Sequence, residues 1–111
     1  MFNLLFGNKS NTISASDAKN RLAQGNKVVL LDVRTPQEYA EIRIPSSLLI
    51  PVDKLSANVA KVIPNKDAEI IVYCRSGMRA KTALAQLKSM GYANVKNLGG
   101  IIDWPYETSS K

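Results

Sequence analysis

The sequence has no histidine and a single cysteine among its 111 residues. The first absence excludes His-based catalytic triads and His-ligated metal sites, and no cluster of aspartate and glutamate takes their place. The second excludes an intrachain disulfide, so the chain is not a secreted disulfide scaffold. No apolar run approaches the roughly 20 residues that a membrane-spanning helix needs. Internal repeats and low-complexity segments are missing too. Aromatic residues make up 6% of the chain and are not interleaved with a basic run. That argues against single-strand nucleic-acid binding.

What remains is an ordinary globular composition, 45% hydrophobic, in a length that suits one domain with one core. The net charge is +6 at pH 7. A basic surface attracts small anions and acidic partners, and can attract nucleic acid or lipid. Here the lysines and arginines are spread along the chain, which favours a solvated surface with some preference for anions.

Taken in order, Met1 to Lys9 carries Phe2, Leu4, Leu5 and Phe6. The segment lacks a charged n-region and a small-residue cleavage site, so it is a poor signal peptide. Docking on the domain, disorder and weak membrane contact remain open for it, the first two ahead of the third. A cytoplasmic location, with no stable membrane association, is expected from the lack of export signals. Thr12 to Ser14 reads as a short strand. Asp17 to Ala23 reads as a helix, capped by Ser14 or Ser16, with Gly25 after its end. Lys27 to Val33, KVVLLDV, is apolar without alternation, as a central strand covered on both faces should be. Thr35, Pro36 and Glu38 form a capping box that starts a short helix to about Glu41. Asp32 and Arg34 stand at the carboxyl end of the preceding strand, where open α/β sheets place ligands. An ion-pair set of Asp32, Arg34 and Glu38 that fixes this turn is favoured over direct catalysis. Leu48 to Ile50 is expected to be a short buried strand. Asp53 can cap a helix from about Lys54 to Val62 with Leu55, Val59 and Val62 on its apolar face. Asn65 to Asp67 is a polar turn. Asn94 to Asn97 is a last strand, followed by Gly99-Gly100 and a short helical stretch containing Trp104, a packing residue. Thr108 to Lys111 reads as a frayed tail. The boundaries are an N-terminal extension 1–10, a domain 11–106 and a C-terminal tail 107–111.

Glu69 to Gly91 carries the chemistry. Ile70 to Tyr73 is a short run of β-branched and aromatic residues, the pattern of a buried strand. From about Arg79 to Met90, Ala80, Ala83, Leu84, Leu87 and Met90 share one helical stripe, and Gly91 stands at the C-terminal stop. Cys74 therefore follows a strand and precedes a helix. The first amides of a helix have no intrahelical acceptor and point into the loop before it. A thiolate there gains from those donors and from the helix dipole, and Arg75 and Arg79 add charge of the right sign. The alternative is an inert, buried cysteine, common for free thiols. A reactive thiol is favoured. The spacing disfavours a cysteinyl-phosphate enzyme, whose loop runs Cys, five residues, Arg: Ala80 stands at that arginine position. The tighter loop suits a sulfur-bound sulfur better than a phosphate.

Cys74-Arg75-Ser76-Gly77-Met78-Arg79-Ala80, with the strand before it, resembles the active-site loop of single-domain rhodaneses, the thiosulfate sulfurtransferases. Leu30 to Arg34 with Glu38-Tyr39, Ile44-Pro45 with Ile50-Pro51, and Leu98-Gly99-Gly100 with Trp104 resemble the family's other signatures. They occur in the family's order from about Ile13 to Trp104. Alternating strands and helices already imply an α/β sandwich with a mostly parallel sheet. The resemblance makes it the rhodanese fold, a three-layer sandwich with helices on both faces of the sheet. It also implies a Cys74 persulfide held by loop amides from Arg75 through Ser76, Gly77 and Met78 to Arg79, with Arg75 and Arg79 binding a small anionic sulfur donor or facing solvent. Asp32 would help to hold the loop. The acceptor would be cyanide or a thiol, with a sulfur-relay protein as a further partner. No cofactor and no metal are expected. An alternative is a non-enzymatic sulfur-carrier module using the same persulfide. The chain departs from the family between Glu41 and Ser47. Where the family has Gly-His before Ile and Gly-Ala after Pro, this chain has Ile42-Arg43 and Ser46-Ser47. Ile42 and Ser46 are expected to be less comfortable than glycine in the backbone conformations of those positions.

Overall fold

Ile70-Ile71-Val72-Tyr73-Cys74 has no polar face, and as strand β3 (Ile70–Cys74) it is buried at every position. The computed structural model describes residues 11–24 and 27–110. The expected N-terminal extension, Gly25 after the first helix, and Lys111 lie outside the described residues. β3 lies between β1 (Val29–Asp32) and β4 (Val95–Gly100), and β2 (Leu48–Leu49) is added beyond β1. All three pairings of this four-stranded sheet are parallel.

Successive side chains of a strand point to opposite faces, and the core divides accordingly. Ile70, Val72 and Cys74 join Leu31 and Val33 on one face, covered by α3 (Leu55–Val62) and α4 (Met78–Ser89) through Leu55, Val59, Ala80, Ala83 and Leu87. Ile71 and Tyr73 join Leu30 and Ile44 on the other, covered by Ala18 and Leu22 of α1 (Ala15–Ala23) and by Trp104. The architecture is the α/β sandwich, helices on both faces of a parallel sheet. Trp104 is a packing residue, edge-on to Tyr106 with ring centroids 5.0 Å apart.

Several local signals are realised. The Ser14 side chain caps α1, which begins two residues earlier than expected. The Thr35–Glu38 capping box is complete on α2 (Pro36–Glu41). Asn65 Oδ1 accepts the Asp67 amide at 2.9 Å in the polar turn. Others differ. The segment at Thr12 makes one parallel bridge to Asn97, not a strand. β2 is an edge strand of two residues with Leu48 exposed; only Ile50 beyond it is buried. Asp53 caps nothing. Pro51 instead leads into a single 3-10 turn, Val52–Lys54, and α3 starts at Leu55 without a side-chain cap. Val62 is 47% exposed, because the helix ends there and the chain turns Ile63 into the core. Gly99 and Gly100 belong to β4, which bulges where Val72 and Tyr73 pair with Asn97 and Gly99. Trp104 follows a 3-10 turn, Ile101–Asp103. The segment expected to fray is held at Ser109, which exchanges two backbone hydrogen bonds of 2.8 Å with Arg43.

Candidate active site

A parallel sheet brings the carboxyl ends of its strands to one edge. The register sets Asp32 beside Tyr73 and Cys74 beside Gly100, so the ends of β1, β3 and β4 converge on Cys74. The loop after it is short because Gly77 turns with φ of 113° and caps α4 directly. Few residues other than glycine adopt that conformation. The Gly77 amide donates to Cys74 Sγ at 3.0 Å, and the Ala80 amide donates at 3.3 Å. Ala80 is the third residue of α4. Its amide is the one that an N-cap side chain ordinarily satisfies. Gly77 has no side chain, and the sulfur takes that place. Cys74 is 1% exposed, and its sulfur accepts from these two backbone amides.

The loop is pressed from behind by β4. A Cβ on Gly100 would stand 2.2 Å from the Arg75 carbonyl oxygen and 2.6 Å from Ser76 Cα. The close backbone approach expected of the glycine pair thus falls on Gly100. The Ile102 amide donates to the same Arg75 carbonyl at 3.2 Å.

The charged residues fall into two separate pairs rather than the single set expected. Asp32 and Arg34 are both buried. The Arg34 side chain holds the Asp32 carboxylate through Nε and Nη2, the latter at 2.7 Å, and Nη2 also donates to the Ile42 carbonyl at 2.6 Å. Glu38 turns instead to α4, where the Arg79 guanidinium donates to both of its oxygens at 2.8 and 3.0 Å. That hydrogen-bonded guanidinium is the main reason the Glu38 carboxyl falls to about 2, against the opposing effect of partial burial and with help from Thr35. Arg79 lies close enough to Cys74 to interact with it electrostatically, yet its guanidinium is occupied by Glu38. Arg75 is exposed, and no carboxylate of the described residues lies within ion-pair distance of it. Ser76 and Met78 are exposed as well.

Tyr73 closes the opposite side of the strand end. Its hydroxyl accepts the Ile44 amide at 3.1 Å and donates to Ser47 Oγ at 3.2 Å. Burial pushes this hydroxyl above its ordinary pKa. Ile42 is extended, with φ of −161° and ψ of 141°, a conformation open to any residue. Ser46 has φ of 71° and is the one non-glycine residue of positive φ among those described. The expected discomfort therefore applies to Ser46 and not to Ile42. Sequence reasoning missed the Ala80 amide and the Glu38–Arg79 clamp. The first was within reach once Gly77 was taken as the helix cap. The second joins residues 41 positions apart, and the capping box gives Glu38 a local partner only.

No group of histidine, cysteine, aspartate and glutamate suited to a metal ion occurs among the described residues. No helix of the described residues is long and apolar enough to cross a membrane.

The model of the Rhodanese-like domain matches residues 14–106. A sulfurtransferase from Allochromatium vinosum is 40% identical over 95 residues, covering 85% of this chain and 87% of that protein. The thiosulfate sulfurtransferase PspE of Escherichia coli is 33% identical over 73 residues, 66% of this chain and 70% of that one. Among solved structures, the BH2092 protein of Bacillus halodurans superposes with a TM-score of 0.84 at 26% identity, covering 96% of this chain and 81% of the other. The family match includes the strand, loop and helix that carry Cys74, and the chain therefore belongs to the rhodanese-like family and its chemistry is sulfur transfer.

Proposed function

We propose that Cys74 is the nucleophile of a thiosulfate-type sulfurtransferase that works by double displacement. The observation that carries this reading is the pair of amides, Gly77 and Ala80, donating to Cys74 Sγ. Fixed donors around a sulfur stabilise negative charge on it without reorganising as the charge develops. The Cys74 thiolate attacks the outer, sulfane sulfur of thiosulfate. A new S–S bond forms, the old one breaks, and sulfite leaves with its electron pair. The anionic outer sulfur of the Cys74 persulfide then faces the remaining amides of the loop, those of the stretch Arg75 to Arg79. Cyanide or a thiolate attacks that outer sulfur, and the Cys74 thiolate departs as the leaving group, restored for another cycle. Arg75, with its guanidinium unpaired among the described residues, binds the sulfonate end of the donor. Arg79, clamped by Glu38, contributes its field and the position of α4 rather than a direct contact. Asp32 and Arg34 fix the neighbouring strand end and support the loop.

Steady-state kinetics with thiosulfate and cyanide test this. Parallel double-reciprocal lines are expected, with sulfite released before any acceptor is added. Cys74→Ala should fall to background. Arg75→Gln should raise KM for thiosulfate by about tenfold with a smaller effect on kcat, as loss of uniform binding does. Activity retained by Cys74→Ala, or converging lines, would overturn the reading. Hydrolysis of an aryl phosphate would point to the phosphoryl-transfer alternative, which Ala80 at the usual arginine position disfavours.

A further inference from the structure

Arg79 starts beside the thiol and ends on a carboxylate. It precedes Ala80, whose amide lies 3.3 Å from Cys74 Sγ. Its Cα is therefore within about 6 Å of the sulfur, a gap that an arginine side chain spans. The guanidinium instead donates to both oxygens of Glu38, at 2.8 and 3.0 Å. The carboxylate that holds it is itself fixed. Glu38 Oε1 also accepts the Thr35 amide at 3.0 Å and the Thr35 hydroxyl at 3.1 Å, so the capping box anchors the clamp to the start of α2. The Glu38 carboxyl falls to about 2, so protonation does not release the arginine near neutral pH. The pair is open to water, with side-chain exposures of 35% for Arg79 and 27% for Glu38. Glu38 also lines, with Arg75, a cleft of about 360 Å³. An anion that enters this cleft towards Arg75 meets a carboxylate whose partner would otherwise serve it.

The other charges of the cleft complete the picture. Arg34 is neutralised by Asp32. Glu41, three residues along α2 and also on the cleft wall, is exposed and has no ion-pair partner among the described residues. The site thus has one arginine free for an anionic donor, Arg75, and one withheld, Arg79. We propose that Glu38 is a positioning residue that withholds Arg79 from the anionic sulfur donor and so sets the donor's affinity. The thiosulfate that arrives and the sulfite that leaves are both anions. An arginine that bound both equally would lower KM without raising kcat, and it would hold the product back. With Arg79 clamped, Arg75 alone meets these anions, and sulfite departs more readily. This inference rests on the sulfur-transfer reading of Cys74 and assigns a part in it to a residue outside the loop.

Substitutions on both sides of the pair test it. Glu38→Gln keeps the capping box, since glutamine serves at that position as glutamate does, but removes the charge that holds Arg79. KM for thiosulfate and Ki for sulfite should each fall about fivefold, the size of a partly exposed charge pairing, with kcat unchanged or lower. Arg79→Gln breaks the same pair but leaves the Glu38 carboxylate bare, and KM should rise about twofold. Adding Arg79→Gln to Glu38→Gln should cancel the whole gain. Glu41→Gln removes an equal charge from the same helix without releasing an arginine, and it should shift KM by less than about twofold. A clamp that only fixed α4 would make both single variants worse alike. That result, an unchanged KM in Glu38→Gln, or a Glu41→Gln effect equal to that of Glu38→Gln would overturn the proposal.

Thiosulfate binding to Cys74→Ser, which cannot form the persulfide, separates this inference from the proposed function. A titration followed through the Arg79 Nε–Hε NMR signal should give a Kd about fivefold lower once Glu38→Gln is added. If that tightening occurs while the native chain forms no persulfide, the affinity role stands and the proposed function fails. If the native chain turns over and the Kd does not move, the affinity role fails alone.

Discussion

Two loops meet at the carboxyl edge of the sheet and solve the same backbone problem differently. The loop after Cys74 makes its left-handed turn at Gly77, with φ of 113°. The loop from Glu41 to Ser47 makes its own at Ser46, with φ of 71° and a side chain in place. A left-handed conformation costs an L-residue about 1–2 kcal/mol. The second loop carries that cost and is held by cross-links from outside: the Tyr73 hydroxyl bonded to Ile44 and Ser47, and the Tyr39 hydroxyl donating to the Ser47 carbonyl at 2.6 Å. The loop around the thiol has no such strain, and its position is set by backbone packing and by one ion pair. Strain in this molecule sits beside the reactive group, where the amide geometry at the sulfur does not depend on it.

The comparison is broken most severely at Gly100. Any Cβ there meets the Arg75 carbonyl oxygen at 2.2 Å, a backbone atom rather than the end of a flexible side chain. Gly100→Ala should destabilise the fold by about 3 kcal/mol or more, as overpacking does, and should disturb the loop in whatever protein still folds. Urea midpoints with alkylation of Cys74 as a second readout check this. Gly77→Ala puts into the thiol loop the strain that Ser46 carries in the other. A loss of about 2 kcal/mol is expected, together with slower persulfide formation, since the Gly77 amide itself contacts the sulfur.

The ion pair between α2 and α4 comes next. Glu38 is depressed from 4.5 to about 2 in the folded chain, chiefly by the Arg79 hydrogen bonds. Its contribution is present above the unfolded carboxyl pKa and is lost as the pH falls from about 4.5 towards about 2. With the pair partly exposed, about 1–2 kcal/mol survives solvent screening. Glu38→Gln should lower the urea midpoint near neutral pH, and the gap from the native chain should narrow as the pH falls through that range. A gap that stays constant with pH would detach the effect from the carboxylate. The smallest effect sharpens the contrast from the other side. Ser46→Gly should stabilise by about 0.5–1 kcal/mol, relief of the left-handed conformation less the added entropy of an unfolded glycine. A destabilised variant would show that the Ser46 side chain does something beyond occupying a strained position.

The elements that place the thiol were legible because their signals are local. The run from Ile70 to Tyr73, the stripe through Ala80, Ala83 and Leu87, the stop at Gly91 and the capping box at Thr35 each need only a few neighbouring residues to be recognised. Where reading failed, the deciding contact is distant. Glu38 reads as one set with Asp32 and Arg34, its neighbours in sequence, yet its ion-pair partner comes from α4. Val62 continues the apolar period of α3, but helix termination turns Ile63 inward instead. Leu48 looks buried by composition, and its place at the sheet edge leaves it exposed. Ser109 carries no local signal for a strand and is held only because Arg43 offers it a backbone partner. Ser46 was legible only through a departure from the family pattern, and the same argument misjudged Ile42.

The central claim is that the sulfur of Cys74, held by the Gly77 and Ala80 amides, carries the transferred atom. Intact mass after incubation with thiosulfate, on the native chain and on Cys74→Ser, tests it most directly. The account predicts a gain of one sulfur atom on the native chain only, removed by cyanide. A sulfur gained by Cys74→Ser, or none gained by native protein shown to be folded, would contradict it.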